Sequence, residues 1–332
     1  MKTAIIILNW NGKKLLEQFL PSVIKFSEAE ATIYVADNAS SDDSISFVYE
    51  NFPQVTIIEN KDNLGYAGGY NEALMNLSED IFVLLNSDVE VTENWLIPIL
   101  SEFKKDKNLV AAQPKILDFN NRDYFEYAGA SGGFIDSLGY AYCRGRIFET
   151  LEKDIGQYDN EKEIFWASGA CLFVRKESFW KVGALDTDFF AHQEEIDLCW
   201  RLKANGGSIK CFPQSVIYHV GGATLASANP KKTFYNFRNS LLMVLKNRKG
   251  ISTFGVILLR MILDALVCVR FLFQKKPKHI IAVLKAHFSF YGLFLKFLKK
   301  IEKCATDYKY YTIKSVVLQY FAKNNRYFND IE

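Results

Sequence analysis

The sequence has few cysteines, glycines and prolines for its 332 residues, and each shortage excludes a class of protein. Six scattered cysteines, without a CxxC pair or a histidine at ligand spacing, exclude a disulfide scaffold, a zinc site and a redox motif and fit a reducing compartment. Nineteen glycines and seven prolines exclude a collagen-like or low-complexity chain. With 49% hydrophobic residues, the chain is predicted to fold as one large α/β domain or two smaller ones.

Net charge is also small, because 40 Lys and Arg nearly balance 38 Asp and Glu, but the two signs are unevenly distributed. Residues 1–230 contain 20 basic and 33 acidic side chains, whereas residues 231–332 contain 20 basic and 5 acidic ones. A basic tail on an acidic body predicts an anionic partner for the tail, either a membrane surface or nucleic acid. Because no nucleic-acid-binding motif accompanies the charge, we expect an anionic membrane surface and no nucleic acid.

Uncharged hydrophobic runs are short. Residues 4–8 are too few for the core of a signal peptide and predict a buried first strand. Between residues 251 and 273 the apolar sequence is interrupted by Arg260, Asp264 and Arg270. At about 100° per residue these charges lie within roughly one third of the helix circumference, which favours an amphipathic helix in the plane of a membrane over a spanning helix.

Aromatic, aliphatic and lysine side chains are interspersed between residues 275 and 300. Such a mixture suits the headgroup boundary of a membrane. The alternative is a helical subdomain that packs on the rest of the protein and exposes a solvated basic face.

Between residues 3 and 115, short β-branched runs alternate with helical patterns. The strand-like runs are residues 3–10, 32–37, 55–59 and 80–86. This alternation predicts βαβ units in an α/β fold with a mainly parallel sheet flanked by helices. We expect Pro21 to kink or split the first helix and Ser40 or Ser41 to cap the second. Ligands of such sheets bind beyond the carboxyl ends of the strands, so the polar residues there are the first functional candidates.

Each of the first four strands is followed by candidates of this kind, and they are Asn9, Asp37, Asn38, Asn63, Gly65, Gly68, Asn86, Ser87 and Asp88. A carboxylate at a strand end, such as Asp37, can accept a hydrogen bond from a nucleotide base or sugar. Glycines at the start of a helix, such as Gly65 and Gly68, let the backbone approach a diphosphate. The first strand lacks the glycine fingerprint of dinucleotide-binding proteins, which disfavours an NAD-dependent dehydrogenase.

Asp88 and His219 are candidate metal ligands. Asp88 follows a fully apolar strand, and its carboxylate suits Mg²⁺ or Mn²⁺ that is bound largely through substrate phosphates and water. His219 follows a strand-like run and stands close to two glycines. A lone histidine is more often structural than catalytic, but this position makes His219 a candidate ligand for the same metal or phosphate.

Two adjacent glutamates, Glu194 and Glu195, begin a predicted helix. One interpretation is structural, because acidic residues stabilise the first turn of a helix and Asp197 can pair with Arg201 four residues later. The other interpretation is catalytic, since neighbouring aromatic residues, including Trp200, provide apolar walls beside a carboxylate. Such surroundings raise the proton affinity of a carboxylate and suit it to act as a general base.

Seven segments, taken in order, resemble the motifs of family 2 glycosyltransferases, in particular the rhamnosyltransferase-like branch. They are residues 7–12, 36–42, 63–71, 84–88, 167–170, 194–201 and 218–222. The resemblance covers about residues 3–240 and implies a GT-A fold. It implies a catalytic domain over residues 1–235, with a nucleotide-sugar-binding half (1–115) and an acceptor-binding half (116–235). Residues 236–332 would form a helical, basic, membrane-associating C-terminal region.

The resemblance also implies roles for single residues, by motif position. Asp37 would contact the nucleotide base, and Asp88 with His219 would hold a divalent metal on the diphosphate. Glu195 would be the catalytic base, although the sequence leaves open whether Glu194 takes that role. Asp197 would be a further residue of the catalytic group, and the residues facing the donor sugar and acceptor would be Trp166, Ser168, Gly169, Trp200 and Arg201.

Two positions depart from the family's pattern. The family's metal motif often has an acid where this chain has Asn86, which predicts that a metal is held weakly. The base is usually Asp, whereas Glu195 is one methylene longer.

The function implied by the resemblance is inverting transfer of a sugar from a nucleotide-diphosphate donor to a glycan or lipid-linked acceptor in bacterial surface polysaccharide synthesis. Mg²⁺ or Mn²⁺ would assist departure of the diphosphate. The protein would be cytoplasmic and peripheral on the inner face of the cytoplasmic membrane. The alternative is a non-catalytic nucleotide-sugar-binding or scaffold protein of a glycan-assembly complex, which the altered metal motif suggests.

Overall fold

Strands and helices alternate through the first part of the chain, as predicted. The computed structural model describes residues 1–221, 229–301 and 309–332, and Gly222 at the end of the last motif segment lies outside them. The elements of this part are β1 (Thr3–Asn9), α1 (Lys13–Lys25), β2 (Thr32–Asp37), α2 (Ser44–Asn51), β3 (Thr56–Glu59), α3 (Gly65–Leu74), β4 (Ile81–Asn86), β5 (Val89–Val91), α4 (Ile97–Lys105) and β6 (Leu109–Asp118).

Short strands come next, and long helices follow. The strands up to the next long helix are β7 (Gly133–Ile135), β8 (Ala141–Cys143), β9 (Arg146–Ile147), β10 (Thr150–Leu151), β11 (Lys162–Glu163), β12 (Cys171–Arg175) and β13 (Ser208–His219). The helices are α5 (Lys176–Lys181), a 3-10 helix (Thr187–Phe189), α6 (Glu194–Ala204), α7 (Pro230–Asn247), α8 (Ser252–Phe273) and α9 (Pro277–Leu298).

The main sheet is mixed. Its strands β3, β2, β1 and β4 are adjacent and parallel, as predicted for this part of the chain. β12 then runs antiparallel between β4 and β6. β13 is parallel to β6 and antiparallel to β5 and β11. The predicted α/β sheet flanked by helices is therefore confirmed, and it is parallel in its N-terminal part but mixed as a whole, because the chain reverses direction between β6 and β12.

The central strands β1 and β4 are covered on both faces. Residues 4–7 and 81–85 are at most 2% exposed. Apolar side chains of α1, α2 and α4 pack on one face of the sheet, and those of α3, α5 and α6 pack on the other. Burial on both faces explains why these strands are continuous apolar runs instead of alternating patterns.

The predicted cap of α2 was wrong, and of the predicted kink or split of α1, a split does not occur. Pro21 does not split α1, which continues to Lys25; the proline is exposed, so water can satisfy the carbonyl that loses its intrahelical partner. Neither Ser40 nor Ser41 caps α2, whose N-cap position is Asp43. Instead, Ser40 Oγ accepts from the N–H of Asn11 at 2.8 Å, and the N–H of Ser41 donates to the Asn11 side chain at 2.7 Å.

The C-terminal elements pack back on the preceding part of the chain. α7 lies against α6 and α9, and the predicted boundary at residues 235/236 falls inside α7. Beyond α9, the tail returns to the small antiparallel sheet of β7 to β10. There, Tyr142 bonds Thr312 through their hydroxyls at 2.9 Å, and the N–H of Phe328 donates to Glu152 at 3.0 Å.

Candidate functional site

Asn9 and Asp37 end the neighbouring strands β1 and β2, and the parallel register places them side by side. The Asn9 Nδ2 donates to Asp37 Oδ1 at 2.9 Å. The other Asp37 oxygen accepts from the N–H of Ser40 at 2.8 Å. Both side chains are buried, and the carboxylate retains lone pairs beyond these two hydrogen bonds. Asp37 is therefore held rigidly at the carboxyl edge of the sheet and can still accept from a ligand.

Asparagine side chains fix the start of α3. The Asn38 Nδ2 donates to Asn63 Oδ1 at 3.1 Å and to the carbonyl of Gly65 at 3.0 Å, while Asn38 Oδ1 accepts from Asn60 at 3.2 Å. Gly65 has a φ of +69°, and a Cβ there would lie 2.5 Å from the carbonyl oxygen of Phe190. Only glycine allows this approach, which joins the predicted donor segment to the loop before α6. Sequence analysis missed Asn60 because it lies between two motif segments.

Two other donor candidates occupy crowded positions. A Cβ on Gly68 would lie 2.6 Å from the Cβ of Leu64, so this glycine allows a tight first turn of α3. Ser87 is half-buried, and its Oγ lies 3.8 Å from the position that a Cβ on Gly12 would take. Ser87 thus faces the start of α1 at the same edge of the sheet.

Asp88 and His219 lie together, because β13 pairs with β5 and brings His219 opposite Val89. Asp88 Oδ1 is 3.1 Å from His219 Nε2, and Glu126 Oε1 is 3.4 Å from Nδ1 on the other side of the ring. Burial opposes a charge on His219, but the carboxylates of Glu126 and Asp88 outweigh it and raise the pKa of the imidazole to about 10.

Glu126 was missed by sequence analysis because it lies outside every motif. The same pairing acts on Asp88: burial favours its neutral form, but His219 lowers the net pKa of the carboxyl below its usual range. Asn86 Nδ2 lies 3.3 Å from His219 Nε2, so the residue that replaces the family's usual acid contacts the same imidazole.

The ligand atoms of Asp88 and His219 fit a divalent cation whose other ligands come mainly from a bound substrate. Mg²⁺ and Mn²⁺ prefer oxygen ligands, and one or two protein groups suffice when phosphates and water supply the others. Asp88 provides such a carboxylate, and His219 provides a nitrogen ligand once it has lost its proton. Within the described ranges, no group of three or more His, Cys, Asp or Glu is arranged to hold a metal unaided.

Glu194 and Glu195 differ in exposure at the start of α6. Glu194 is 4% exposed, whereas Glu195 is half-buried. Burial raises the pKa of Glu195 to about 7, and burial together with the neighbouring charge of Glu195 raises the pKa of Glu194 well above its usual range. One carboxylate oxygen of each has no hydrogen-bond partner in the described part of the chain. A half-exposed carboxylate with a pKa near 7 has the properties of a general base.

Gly169 brings the segment at 167–170 against Glu195. A Cβ on Gly169 would lie 3.7 Å from the Cβ of Glu195 and 2.9 Å from the hydroxyl of Tyr66. That hydroxyl donates to the carbonyl of Gly169 at 2.7 Å. Glycine therefore leaves room for both the carboxylate and the phenol.

A short path connects Glu195 with Asp88. Next to Gly169, the carbonyl of Ala170 accepts from the N–H of Asn86 at 3.0 Å, and the Asn86 side chain reaches His219 beside Asp88. The two predicted groups, one for the metal and one for the base, thus lie at the same edge of the main sheet.

Asp197 and Arg201 are held inside the protein. Asp197 is fully buried and accepts from Arg201 at 2.9 Å, from Lys246 at 2.8 Å and from Asn247 at 2.7 Å. Burial favours the neutral carboxyl, but Arg201 and Lys246 lower its net pKa below the usual range. A carboxylate so paired orients α6 and does not accept a proton from a substrate.

Three residues expected to face the sugar or acceptor are also buried. Trp166 donates to the carbonyl of Phe134 at 3.0 Å. The Ser168 hydroxyl donates to the carbonyl of Ala128 and accepts from the N–H of Ala170 at 3.2 Å. Trp200 is fully buried, in ring contact with Phe165 and Tyr310. These side chains are engaged within the protein. In this segment, Gly169 is the residue that lies next to Glu195.

Comparison with known proteins identifies the family of this chain. A family model described as glycosyl transferase family 2 matches residues 4–183. An N-acetylglucosaminyl-diphospho-decaprenol L-rhamnosyltransferase of Mycobacterium tuberculosis is 25% identical over 66% of this chain and 76% of its own length. The low-salt glycan biosynthesis hexosyltransferase Agl10 of Haloferax volcanii is 23% identical over 83% of this chain and 87% of its own.

Solved structures show the same fold. GalNAc-T7 with UDP, GalNAc and Mn²⁺ has a TM-score of 0.59 at 16% identity, over 74% of this chain and 48% of its own. The mannosyltransferase PcManGT from Pyrobaculum calidifontis, with GDP-Man and Mn²⁺, has a TM-score of 0.53 at 13% identity, over 91% of this chain and 84% of its own. The expected GT-A fold is confirmed.

Proposed function

This chain belongs to glycosyl transferase family 2, and from that membership we propose that it transfers a sugar, with inversion, from a nucleotide-diphosphate donor to a glycan or lipid-linked acceptor in bacterial surface polysaccharide synthesis. The observation that carries the proposal is the common position of Asp88 and Glu195 at one edge of the sheet. Inversion needs groups on opposite sides of the anomeric carbon, one at the leaving diphosphate and one at the incoming hydroxyl. The names of the rhamnosyltransferase and Agl10 support the acceptor class.

The leaving-group side is assigned to Asp88 and His219. They would hold Mg²⁺ or Mn²⁺, which neutralises the charge that develops on a departing diphosphate. The remaining donor contacts are assigned to Asn9, Asp37, Asn38, Asn63, Gly65, Gly68, Asn86 and Ser87. Support for a metal comes from the Mn²⁺ named in two similar structures and from the carboxylate that Asp88 places at the sheet edge.

The base is assigned to Glu195. A pKa of about 7 leaves a large ionised fraction at neutral pH, and the half-exposed side chain beside Gly169 can reach an acceptor hydroxyl. Glu194 is 4% exposed, and burial with the neighbouring charge of Glu195 raises its pKa, so it is the less accessible of the two carboxyl groups. Asp197 acts through α6, with its charge already compensated by Arg201 and Lys246.

The C-terminal helices support a location at the membrane. α8 and α9 form a hairpin whose outward residues are apolar at intervals of three or four, which places them on one helix face. On α8 they are Phe254, Leu258, Ile262, Leu266, Val269 and Phe273. On α9 they are Ile281, Leu284, Phe288, Tyr291 and Leu295. We name these eleven side chains the outer face of the hairpin.

Two of the three charges of α8 point toward the protein. Arg260 is buried and donates to the carbonyl of Leu138 at 2.9 Å. Asp264 is buried and pairs with His287 of α9 at 2.9 Å. Of the three charges of α8, only Arg270 is exposed, and it pairs with Glu149 at 2.9 Å. A helix that buries two of its three charges and exposes an apolar face is the reverse of the arrangement expected in water. Of the helices described, α9 is the one that length and composition would allow to cross a membrane, which by itself is a weak indication.

Lipid is the partner that this surface fits best. Exposed lysines at the hairpin turn, Lys275, Lys276 and Lys278, stand beside the outer face and match anionic headgroups. We therefore place the protein on the inner face of the cytoplasmic membrane, with the outer face of the hairpin in the interfacial region and α7 between the membrane and the catalytic site.

The proposed reaction is tested by screening nucleotide sugars for their effect on the melting temperature, with and without Mn²⁺, and then assaying transfer from those that bind. The account expects donor binding that Mn²⁺ strengthens, followed by transfer with inverted anomeric configuration in the NMR spectrum of the product. Donor binding by the wild type without hydrolysis or transfer to any acceptor in a panel of glycans and lipid-linked saccharides would instead support the non-catalytic scaffold.

A further inference from the structure

The loop of residues 189–193 leads directly into α6, and three of its residues have left-handed backbone conformations. The φ angle is +65° at Phe190, +70° at His192 and +75° at Gln193. Residues with a Cβ rarely adopt these values, so such a loop keeps its shape only where its surroundings fix it.

Asn239 of α7 fixes the loop from one side. Its Nδ2 lies 2.9 Å from the carbonyl oxygens of Phe189 and Ala191 and 2.7 Å from that of His192. Asn239 is fully buried, and its two amide protons are shared among three carbonyls. A carboxamide can supply two donors in a buried place without introducing a charge.

Arg238 sets the orientation of that amide. The Arg238 Nε donates to Asn239 Oδ1 at 2.8 Å. Its Nη2 donates to the carbonyls of Asp188 and Phe189 at 3.1 and 3.0 Å. Because the acceptor oxygen of Asn239 is engaged by Arg238, the donor end of the amide faces the loop.

The other side of the loop contacts the donor-side helix. The carbonyl oxygen of Phe190 accepts from the N–H groups of Tyr66 at 2.8 Å and Ala67 at 3.3 Å, at the start of α3. The carbonyl of Phe190 therefore bonds to α3, whereas those on either side of it bond to α7. Glu194 and Glu195 follow immediately, so the shape of this loop determines the position of the backbone from which their side chains extend.

We infer that Asn239 is a positioning residue for the catalytic base: it holds residues 189–193 from the side of α7 and thereby places Glu195 beside Gly169. The inference rests on the proposed function, in which Glu195 takes the proton of the acceptor. Asn239 lies outside residues 4–183, the part of the chain matched by the family model. It acts through the loop, since each of its hydrogen bonds goes to a carbonyl of the loop or to Arg238.

The test compares Asn239→Ala with Asn236→Ala, a control on the same helix whose half-buried side chain makes no hydrogen bond among the residues described. For Asn239→Ala we expect kcat to fall roughly a hundredfold with the donor KM unchanged. The acid limb of the pH profile should move below its wild-type position, because a loosened loop admits water to Glu195. Asn239→Ser, which keeps one donor, should recover part of the rate.

The pH readout is specific because the substitution leaves the ionisable neighbours of Glu195 intact. These neighbours are Tyr66, Cys143, Glu194 and Cys199. Amide hydrogen exchange, which needs no turnover, should accelerate at residues 189–196 in Asn239→Ala and remain unchanged in the control.

Several outcomes would overturn the inference. One is wild-type kcat and pH profile in Asn239→Ala or, if that variant does not fold, in Asn239→Ser. Another is a loss of rate with neither a shifted acid limb nor faster exchange in the loop, which would indicate a general loss of stability. Absence of transfer by the wild-type protein would instead contradict the proposed function, and hydrogen exchange would still report whether Asn239 fixes the loop.

Discussion

Glu194 and Glu195 are neighbours in the sequence but occupy different environments. The sequence places both in the first turn of α6 and cannot distinguish them, because the difference arises from tertiary packing. Glu195 is half-buried and lies beside the backbone of Gly169, whereas Glu194 is 4% exposed. Burial raises the pKa of both, and the difference in exposure is the basis for choosing Glu195.

The first prediction concerns the pH dependence of transfer. Only an ionised carboxylate can accept a proton, so kcat should increase as the pH rises through about 7, the value to which burial raises the pKa of Glu195. Glu194→Gln should retain this acid limb, since the limb is assigned to the ionisation of Glu195, whose carboxylate the substitution leaves in place. A pH–rate profile without an acid limb, or loss of the limb in Glu194→Gln, would contradict the assignment.

The second prediction concerns the proposed metal ligand. Asp88→Ala should abolish the additional increase in melting temperature that Mn²⁺ gives to the donor complex, because the cation loses its carboxylate ligand. Each shift is measured against the ligand-free melting temperature of the same variant, so a general loss of stability does not enter. Asp123→Ala, an exposed aspartate, is the control. An undiminished Mn²⁺ effect in Asp88→Ala would remove Asp88 from the metal site.

At the scale of elements, α6 is anchored to α7 by buried charges. Lys246 of α7 pairs with Asp197 and Asp186, each at 2.8 Å. Lys300, after α9, pairs with Asp186 and Asp188. The residues on both sides of the loop 189–193 therefore form ion pairs with the C-terminal helices, and Asn239 adds hydrogen bonds to the loop itself. The sequence showed Asp197 and Arg201 as a local pair, and the partners from α7 become visible only in the fold.

The third prediction concerns this buried network. Lys246→Met should lower the free energy of unfolding by about 1.5–3 kcal/mol, because Asp197 and Asp186 lose the buried cation they share and keep only Arg201 and Lys300, respectively. The matched control is Lys153→Met, which removes an exposed pair with Asp123 at 3.2 Å. The control should cost less than about 1 kcal/mol. Urea denaturation measures both, and equal losses in the two variants would show that the network does not anchor α6.

Element patterns were predictable where burial alone decides them. The apolar runs of β1 and β4 gave the parallel N-terminal sheet, since both strands are covered on both faces. The antiparallel insertion of β12 was not predictable, because strand direction depends on the connection from β6 and not on the residues of β12. The sequence predicted that the charged residues of α8 share one face of the helix. It did not predict that this face packs on the protein, since a helical pattern does not show which face is buried.

At the scale of the whole molecule, α7 links the proposed site to the outer face of the hairpin. It contacts α6, which carries Glu195, and it contacts α8 and α9, which carry the outer face. The motif segments lie far apart in sequence, and their order predicted that they form one site. Glu126 and Asn239 could not be predicted, because neither belongs to a motif segment and each acquires its partners only through tertiary packing.

The fourth prediction concerns the outer face of the hairpin. The double substitution Leu258→Glu and Phe288→Glu should abolish co-flotation with vesicles that contain anionic lipid. The control introduces the same charges at two exposed apolar residues elsewhere, Tyr49 and Ile155, which are 78% and 77% exposed. The control should float like the wild type, and salt should weaken its binding. Failure of the wild type to float, with a dimer in light scattering that the hairpin variant loses, would assign the face to a second copy.

The central claim is that Glu195 takes a proton from the acceptor at the edge where Asp88 serves the donor. The most direct measurement compares donor affinity by calorimetry with sugar transfer in the wild type and in Glu195→Gln. We expect the variant to bind the donor as the wild type does, because Glu195 is not among the donor contacts, and to lose transfer by about a hundredfold or more. Wild-type transfer by Glu195→Gln would contradict this claim.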